Sequence, residues 1–129
     1  MGKVVVIVED SESIASSLGI ALETILGVKT VVTPDPRAAL NLFRSPDSCI
    51  SAVVTDLHLP FLNGFELIHE IRTLTRYQNL PAIMITADEH AALADGSGPD
   101  SPNAIFRKPF SPKEVCRVLE HLLQQEVVP

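Results

Sequence analysis

Five short runs of apolar, largely β-branched residues recur along the chain, and segments with helical spacing separate them. The runs span residues 3–8, 28–33, 52–55, 81–86 and 104–107. Most of them lack the polar and apolar alternation of a strand that has one face in water. The runs are therefore predicted to be strands of a parallel sheet that is covered on both faces.

The segments between these strands carry apolar residues three and four positions apart, as amphipathic helices do. The predicted stripes are Ile14, Leu18, Leu22, Ile25 and Leu26; Leu40 and Phe43; Ile68, Ile71 and Leu74; and Val115, Val118, Leu119, Leu122 and Leu123. Capping signals at three helix starts are Asp35-Pro36, Asn63 with Glu66, and Ser111 with Glu114. Strands and helices thus alternate along the sequence.

This alternation predicts an α/β fold, because parallel strands need crossover connections, which are nearly always right-handed. We expect a single domain over residues 1–129, with a five-stranded parallel sheet that is doubly wound and has helices on both faces. In such sheets, ligands bind at the carboxyl ends of the strands, near the point where the strand order reverses. The residues at those ends are therefore the candidates for a functional site.

Charged and hydroxyl side chains follow four of the predicted strands. Glu9 and Asp10 end the first strand, Asp56 ends the third, Thr86 ends the fourth, and Lys108 follows the fifth. Each alone has an ordinary structural explanation, such as a helix cap, a solvated turn, a β-branched strand residue or a surface cation. Their joint position at one edge of the sheet favours a site instead.

The electrostatics of this edge indicate a bound cation. Two like charges about 4 Å apart cost about 4 kcal/mol at an effective dielectric of about 20, so three carboxylates beside one lysine need further positive charge. An all-oxygen site suits Mg²⁺ or Mn²⁺, and a few carboxylates with waters suit Mg²⁺. The histidines lack metal-binding spacing and are predicted to lie at the surface: His58, His69, His90 and His121.

A metal beside a carboxylate and a lysine suits phosphoryl transfer. An aspartate can be the nucleophile and form an acyl phosphate. The metal and Lys108 then neutralise charge on the phosphoryl oxygens, and the Thr86 hydroxyl can donate a hydrogen bond to one of them. The sequence therefore predicts a phosphoryl-accepting site at Asp56.

Taken together, these motifs resemble the receiver domain of bacterial two-component response regulators, over essentially the whole chain. The motifs are Glu9-Asp10, the stretch DLHLPFLNG with Asp56, Pro60 and Gly64, Thr86-Ala87, and Lys108-Pro109-Phe110. The resemblance implies a flavodoxin-like sheet with strand order 2-1-3-4-5. It also implies that this chain is a switch in a signalling pathway.

The resemblance implies a role for each site residue. Asp56 is the phosphoacceptor, and the donor is a sensor histidine kinase or a phosphotransfer protein. The implied ligands of Mg²⁺ are Glu9, Asp10, Asp56 and the backbone carbonyl of His58. Thr86 and Lys108 bind the phosphoryl group. Its charge then changes the face that the family forms from its fourth helix, fifth strand and fifth helix.

Three features depart from the family pattern. Ile105 stands where an aromatic residue is usual, and the neighbouring Phe106 is predicted to pack in the core. Residues 91–94 predict only a short helix and an unusual output face, because residues 95–103 hold two glycines and two prolines. His58 and Asp88 occupy positions that influence phosphoryl lifetime in the family, in a direction that the sequence does not fix.

Composition limits the other functions that need to be considered. The net charge of −6 argues against a nucleic-acid-binding surface on this domain. The longest apolar run, residues 4–8, is far too short for a membrane span, and no signal peptide pattern is visible. Cys49 and Cys116 lack motif spacing and are expected to be reduced thiols in a cytoplasmic protein.

Three functions compete on this sequence. The first is a phospho-accepting signalling domain, which catalyses only its own phosphorylation and dephosphorylation. The second is an interaction module that signals without phosphate, suggested by Ile105 and residues 95–103. The third is a Mg²⁺-dependent phosphatase, but such enzymes often carry two aspartates one residue apart, and Leu57-His58 follow Asp56 here. The first is preferred, while the kinase, the output and the oligomeric state stay open.

Overall fold

The structure is a computed structural model that describes residues 2–88 and 101–125. The predicted helix at residues 91–94, and residues 95–100 after it, lie outside the described residues. The elements in chain order are β1 (Val4–Val8), α1 (Glu12–Ala21), a π-helical turn (Leu22–Leu26), β2 (Lys29–Thr33), α2 (Pro36–Arg44), β3 (Ala52–Asp56), α3 (Gly64–Arg72), a 3-10 turn (Thr75–Tyr77), β4 (Ala82–Thr86), β5 (Ala104–Arg107) and α4 (Pro112–Gln125).

The five strands form one parallel sheet in the order β2-β1-β3-β4-β5. The order reverses at β1, which lies between β2 and β3. Both the doubly wound α/β fold and the strand order that the resemblance implied are confirmed. Every predicted strand is present, with ends within one residue of the predicted ones.

The core lies in two layers, one on each face of the sheet. Val5 and Ile7 of β1 point to the layer that contains α1 and α4, whereas Val6 and Val8 point to the layer that contains α2 and α3. The strands β3 and β4 are buried along their whole length. Central strands covered on both sides explain why these runs carry no polar alternation.

The edge strand β2 departs from the prediction that the strands are covered on both faces. Val31 is 39% exposed and Val32 is 47% exposed, because β2 has a neighbouring strand on one side only. Ile25 is also wrong as a member of a buried stripe, since its side chain is 51% exposed. It lies in the π-helical turn, where the hydrogen bonds span five residues instead of four and the helical register of the stripe shifts.

The helix starts follow the capping signals closely. The Asp35 side chain accepts a hydrogen bond from the Arg37 backbone N–H at 2.8 Å, and Pro36 is the first residue of α2. Asn63 and Glu66 bond reciprocally in a capping box. At α4, Ser111 Oγ accepts the Glu114 N–H at 3.4 Å, but the Glu114 carboxylate pairs with Arg117. Of the capping box predicted at Ser111 and Glu114, only the bond from the Glu114 N–H to the Ser111 hydroxyl forms among the described contacts.

The two cysteines are unpaired thiols, as expected. Cys49 is exposed and Cys116 is buried. Within the described ranges, no helix combines the length and the apolar character that crossing a membrane requires.

Phe106 packs partly buried against the α1/α4 layer, as predicted, and Ile105 packs against the opposite layer.

Gly64 lies at the start of α3, pressed against the end of β3, and only a residue without Cβ fits there. An added Cβ would lie 2.6 Å from the Asp56 carbonyl oxygen and 2.8 Å from Met84 Cε. We expect Gly64→Ala to lower the free energy of unfolding by about 1–3 kcal/mol in urea titrations. Gly19→Ala is the control, because its Cβ would meet Thr30 Oγ1 at 3.5 Å, an ordinary contact. Inside α1, that substitution should stabilise by about 0.5–1 kcal/mol, and equal effects would contradict the steric argument.

Candidate functional site

Three carboxylates converge where β1 and β3 end. Glu9 and Asp10 follow β1, and Asp56 is the last residue of β3. One ligand oxygen from each lies within 4.8 Å of those of the other two. Glu9 and Asp56 are buried, whereas Asp10 is exposed. An exposed carboxylate above two buried ones is suited to admit a divalent cation from solvent.

Lys108 supplies the positive charge in this cluster. Its Nζ donates a hydrogen bond to Asp56 Oδ2 at 3.0 Å and lies 3.0 Å from Glu9 Oε1. The Lys108 side chain is 20% exposed, and the Glu9 side chain is fully buried. A single ammonium group thus contacts two of the three carboxylates but balances only one of their charges, so the cluster stays negatively charged.

The Glu9 carboxylate is only partly satisfied. Its Oε2 accepts the backbone N–H of Ser11 at 3.0 Å, but Oε1 is buried and accepts no hydrogen bond of good geometry, despite the nearby ammonium group. Burial raises the pKa of Glu9 above its ordinary value of 4.5, although the Ser11 N–H and Lys108 favour the charged form. A buried carboxylate oxygen with a free lone pair is the donor expected of a magnesium ligand.

The charge on Lys108 is secured by its partners. Burial, the strongest influence, disfavours the ammonium form, but the close contacts of Lys108 with the Glu9 and Asp56 carboxylates outweigh it and raise the pKa of Lys108 above its ordinary value of 10.5. Lys108 therefore remains charged at neutral pH and holds one oxygen of Asp56. No hydrogen bond to Asp56 Oδ1 is present among the described residues.

Thr86 lies at the end of β4 with no exposed surface. Its hydroxyl oxygen accepts the Asp88 N–H at 3.0 Å, and its carbonyl accepts the Lys108 N–H at 2.8 Å. The hydroxyl thus retains its own proton to donate. The backbone contact joins the ends of β4 and β5, so Thr86 and Lys108 are held beside each other.

The loop from residue 57 to 63 connects β3 to α3 and is closed by a Gly64 N–H bond to Leu57 O at 2.8 Å. The His58 ring is exposed and its Nε2 lies 3.2 Å from Asp88 Oδ2. The sequence did not predict this pair, because it joins two loops thirty residues apart. The metal-binding role of the His58 carbonyl stays a prediction.

Phe61 gives this loop an unusual backbone conformation. Its φ of 73° lies in the left-handed region, and Leu62 N–H donates to Pro60 O at 2.8 Å across it, which makes a γ-turn. The ring of Phe61 lies under the guanidinium of Arg37, 3.5 Å from its centroid. Sequence reasoning missed both residues, since no glycine or asparagine marks the turn and Arg37 is on another element.

Comparisons with known proteins agree with one another. The sequence model of the response regulator receiver domain matches residues 5–120. An uncharacterised 14.6 kDa protein of Leptolyngbya boryana is 31% identical over 90% of this chain and 86% of its own length. In several other relatives the matched region is 57% or less of the relative's length.

Two solved structures are similar over nearly their whole length. The chemotaxis response regulator CheY4 of Vibrio cholerae has a TM-score of 0.81, at 22% identity over 95% of this chain and 99% of that one. The receiver domain of a sensor histidine kinase from Pseudomonas aeruginosa has a TM-score of 0.73, at 25% identity over 96% and 99%. In that structure, a magnesium ion is coordinated in the active site cleft.

Proposed function

Because this chain belongs to the response regulator receiver domain family, we propose that it accepts a phosphoryl group on Asp56 and thereby switches an interaction surface. The observation that carries the proposal is the pairing of Asp56 Oδ2 with Lys108 while Glu9 and Asp10 lie within reach of a shared cation. Asp56 is a buried aspartate at a strand end, with one oxygen anchored by Lys108 and the other without a hydrogen bond from any described residue, and this arrangement suits a nucleophile.

The donor class follows from the family, whose members receive phosphoryl groups from histidine kinases. In the proposed step, the P–N bond of a phosphohistidine breaks and a bond forms between phosphorus and the free oxygen of Asp56. The leaving imidazole takes a proton from solvent. Lys108 holds the other Asp56 oxygen and fixes the direction of attack. A sensor histidine kinase or a phosphotransfer protein is the proposed partner.

The three carboxylates fit Mg²⁺ in number, chemistry and spacing. Glu9, Asp10, Asp56 and the carbonyl of His58 would hold it, and Mn²⁺ would fit the same oxygens. When bound, Mg²⁺ neutralises charge on the phosphoryl oxygens. The magnesium ion in the similar receiver domain from Pseudomonas aeruginosa supports the assignment.

Phosphorylation would rearrange the hydrogen bonds of Thr86 and Lys108. A phosphoryl group brings about 1.5–2 negative charges, which attract the Lys108 ammonium and the proton of the Thr86 hydroxyl. Thr86 is bonded to Asp88 N–H and Lys108 N–H, so movement at the site reaches both neighbouring connections. The switched surface is therefore expected on the β4–β5 side of the domain, facing a partner or output domain.

In this proposal the chain acts on itself, by taking and later hydrolysing its own phosphoryl group, and turns over no separate substrate. It works in the cytoplasm, where histidine kinases present their phosphohistidines. Neither nucleic acid nor membrane is a proposed partner of this domain, whose net charge is −6.

Beside Lys108, an open apolar groove of about 420 Å³ is lined partly by Ile14, Phe110 and Pro112. This groove is the proposed docking surface for the phosphodonor protein.

A small phosphodonor tests the proposal directly. Incubation with acetyl phosphate and Mg²⁺ should add the mass of one phosphoryl group to the intact chain, and a chelator should suppress the gain. The measurement is intact-protein mass spectrometry, with an established receiver domain treated in parallel. If the control gains mass and this chain does not, the proposal is wrong.

The alternative is an interaction module that works without phosphate. Ile105, which stands at the usual aromatic position, packs partly buried against the core and lacks the ring that the family pattern places there. Beryllofluoride, a mimic of the phosphoryl group, distinguishes the two functions. With Mg²⁺ it should raise the thermal unfolding midpoint of a phospho-accepting domain, whereas an unchanged midpoint would favour the alternative.

A further inference from the structure

The γ-turn at Phe61 is not held in place by burial of the Phe61 side chain itself. A bulky side chain disfavours the left-handed region, and such strain persists only where the surroundings enforce it. The Phe61 side chain is 67% exposed, so packing in the core does not enforce the turn. Its described ring contact is the Arg37 guanidinium, stacked 3.5 Å from the centroid.

Arg37 is itself oriented by a two-point ion pair with Asp35. Its Nε and Nη2 donate to the two carboxylate oxygens of Asp35 at 3.3 Å and 3.2 Å. Asp35 is the N-cap of α2, and α2 is anchored in the core by Leu40 and Phe43. The guanidinium is therefore held beside the ring by Asp35 and by a helix that is anchored in the core. The contact ties the exposed, strained tip of the loop to a helix that is anchored in the core by one face.

We propose that Arg37 and Phe61 form a clasp that positions the β3–α3 loop for binding of the metal and the phosphoryl group. The inference rests on the proposed function, because the loop begins immediately after Asp56 and carries the His58 carbonyl. Arg37 and Phe61 are positioning residues, since the proposed reaction takes place at Asp56 and they act through the loop backbone.

The clasp matters because the tip of this loop is exposed at Phe61, although Leu57 is buried and Leu59 and Leu62 pack against the core. Exposed, strained segments with few buried contacts open at much lower cost than the core does. A ligand that needs the closed loop binds with an affinity reduced by the fraction of molecules in which the loop is open. Losing the clasp should therefore weaken Mg²⁺ binding without unfolding the domain.

The central experiment compares Arg37→Ala with Arg44→Ala. Both arginines are on α2, and both make ion pairs at the surface, but Arg44 pairs with Glu70 and is not a partner of Phe61. In Arg37→Ala, the backbone N–H at position 37 can still donate to the Asp35 carboxylate, so the N-cap of α2 is kept. We expect amide exchange at Leu62, followed by nuclear magnetic resonance, to become about two- to fivefold faster, the effect of losing a cation–π contact at an exposed site.

Mg²⁺ titration by calorimetry provides the functional measurement. The dissociation constant should rise in Arg37→Ala, by no more than the factor found in amide exchange, and should stay at the wild-type value in Arg44→Ala. Both variants should unfold at similar urea concentrations. Faster exchange with unchanged Mg²⁺ affinity would make the clasp merely structural and overturn the positioning role.

Substitutions at Phe61 test the same contact from the other side. Phe61→Leu should reproduce Arg37→Ala, and Phe61→Tyr, which keeps the ring, should behave as the wild type. The double variant with Arg37→Ala and Phe61→Leu should be no more affected than either single variant, because both remove one shared interaction. Additive effects would overturn the clasp. Absence of Mg²⁺ binding in the wild type would instead count against the proposed function, while the exchange rates would still test the contact.

Discussion

The Asp56→Asn variant should gain no phosphoryl mass under conditions that add one phosphoryl group to the wild-type chain. An asparagine amide lacks the anionic oxygen that attacks phosphorus, so the acyl phosphate cannot form at this position. Asp47→Asn is the matched control, because Asp47 is an exposed carboxylate outside the cluster and its loss should leave labelling unchanged. Mass gain in Asp56→Asn would move the phosphoacceptor to another residue, such as Asp10.

Loss of labelling in Asp56→Asn should not come from misfolding. Asparagine is nearly isosteric with aspartate, and Lys108 can still donate to its oxygen and pair with Glu9. The substitution also removes one of three neighbouring carboxylates, which lessens their repulsion. Without Mg²⁺, the free energy of unfolding should therefore be no lower than that of the wild type. A less stable variant would show that Asp56 also supports the fold.

Much of the fold and of the carboxylate site was predictable from the sequence, because both depend on local sequence and on topology. Central strands such as β1 and β3 are buried on both faces, and their composition shows it directly. Once the strands are parallel, their carboxyl ends must share one edge, and so Glu9, Asp56 and Lys108 come together. The capping pair of Asn63 and Glu66 was likewise readable, since it joins residues within one turn.

The features that were missed depend on contacts between distant elements or on small changes of backbone register. The exposure of Val31 follows from the edge position of β2, which periodicity alone does not reveal. Ile25 faces solvent because a π-helical turn adds a residue to the helix register. The stack of Arg37 on Phe61 joins helix α2 to the β3–α3 loop, which only the folded chain brings together. Sequence patterns report regular local periodicity, which reveals neither contacts between distant elements nor a local shift of helical register.

The Lys108→Met variant should be less stable than the wild type in the absence of divalent cations. Loss of the Lys108 ammonium group leaves the fully buried Glu9 side chain and the nearly buried Asp56 side chain without a counter-charge. Removing one partner of a buried ion pair costs about 3–5 kcal/mol, and since Lys108 is partly exposed we expect about 3 kcal/mol. Lys113→Met is the control, because Lys113 is exposed and its replacement should change stability by no more than about 0.5 kcal/mol.

Added Mg²⁺ and acidic pH should both reduce the stability loss of Lys108→Met, because each lowers the uncompensated negative charge of the carboxylates. Bound Mg²⁺ supplies positive charge to the same carboxylates, so urea unfolding of the variant should recover stability as Mg²⁺ is added. The folded-state pKa of Glu9 lies above 4.5 already in the wild type, and losing Lys108 should raise it further. Protonation of Glu9 therefore favours the folded state.

The direction of the pH effect follows from that raised pKa. The stability that protonated Glu9 provides is fully present below about pH 4.5 and is lost as pH rises through the higher folded-state pKa. The difference between Lys108→Met and the wild type should thus be largest at neutral pH and smaller at mildly acidic pH. A difference that is the same at both, with and without Mg²⁺, would mean that Lys108 stabilises the fold through packing of its aliphatic stem and not through its charge.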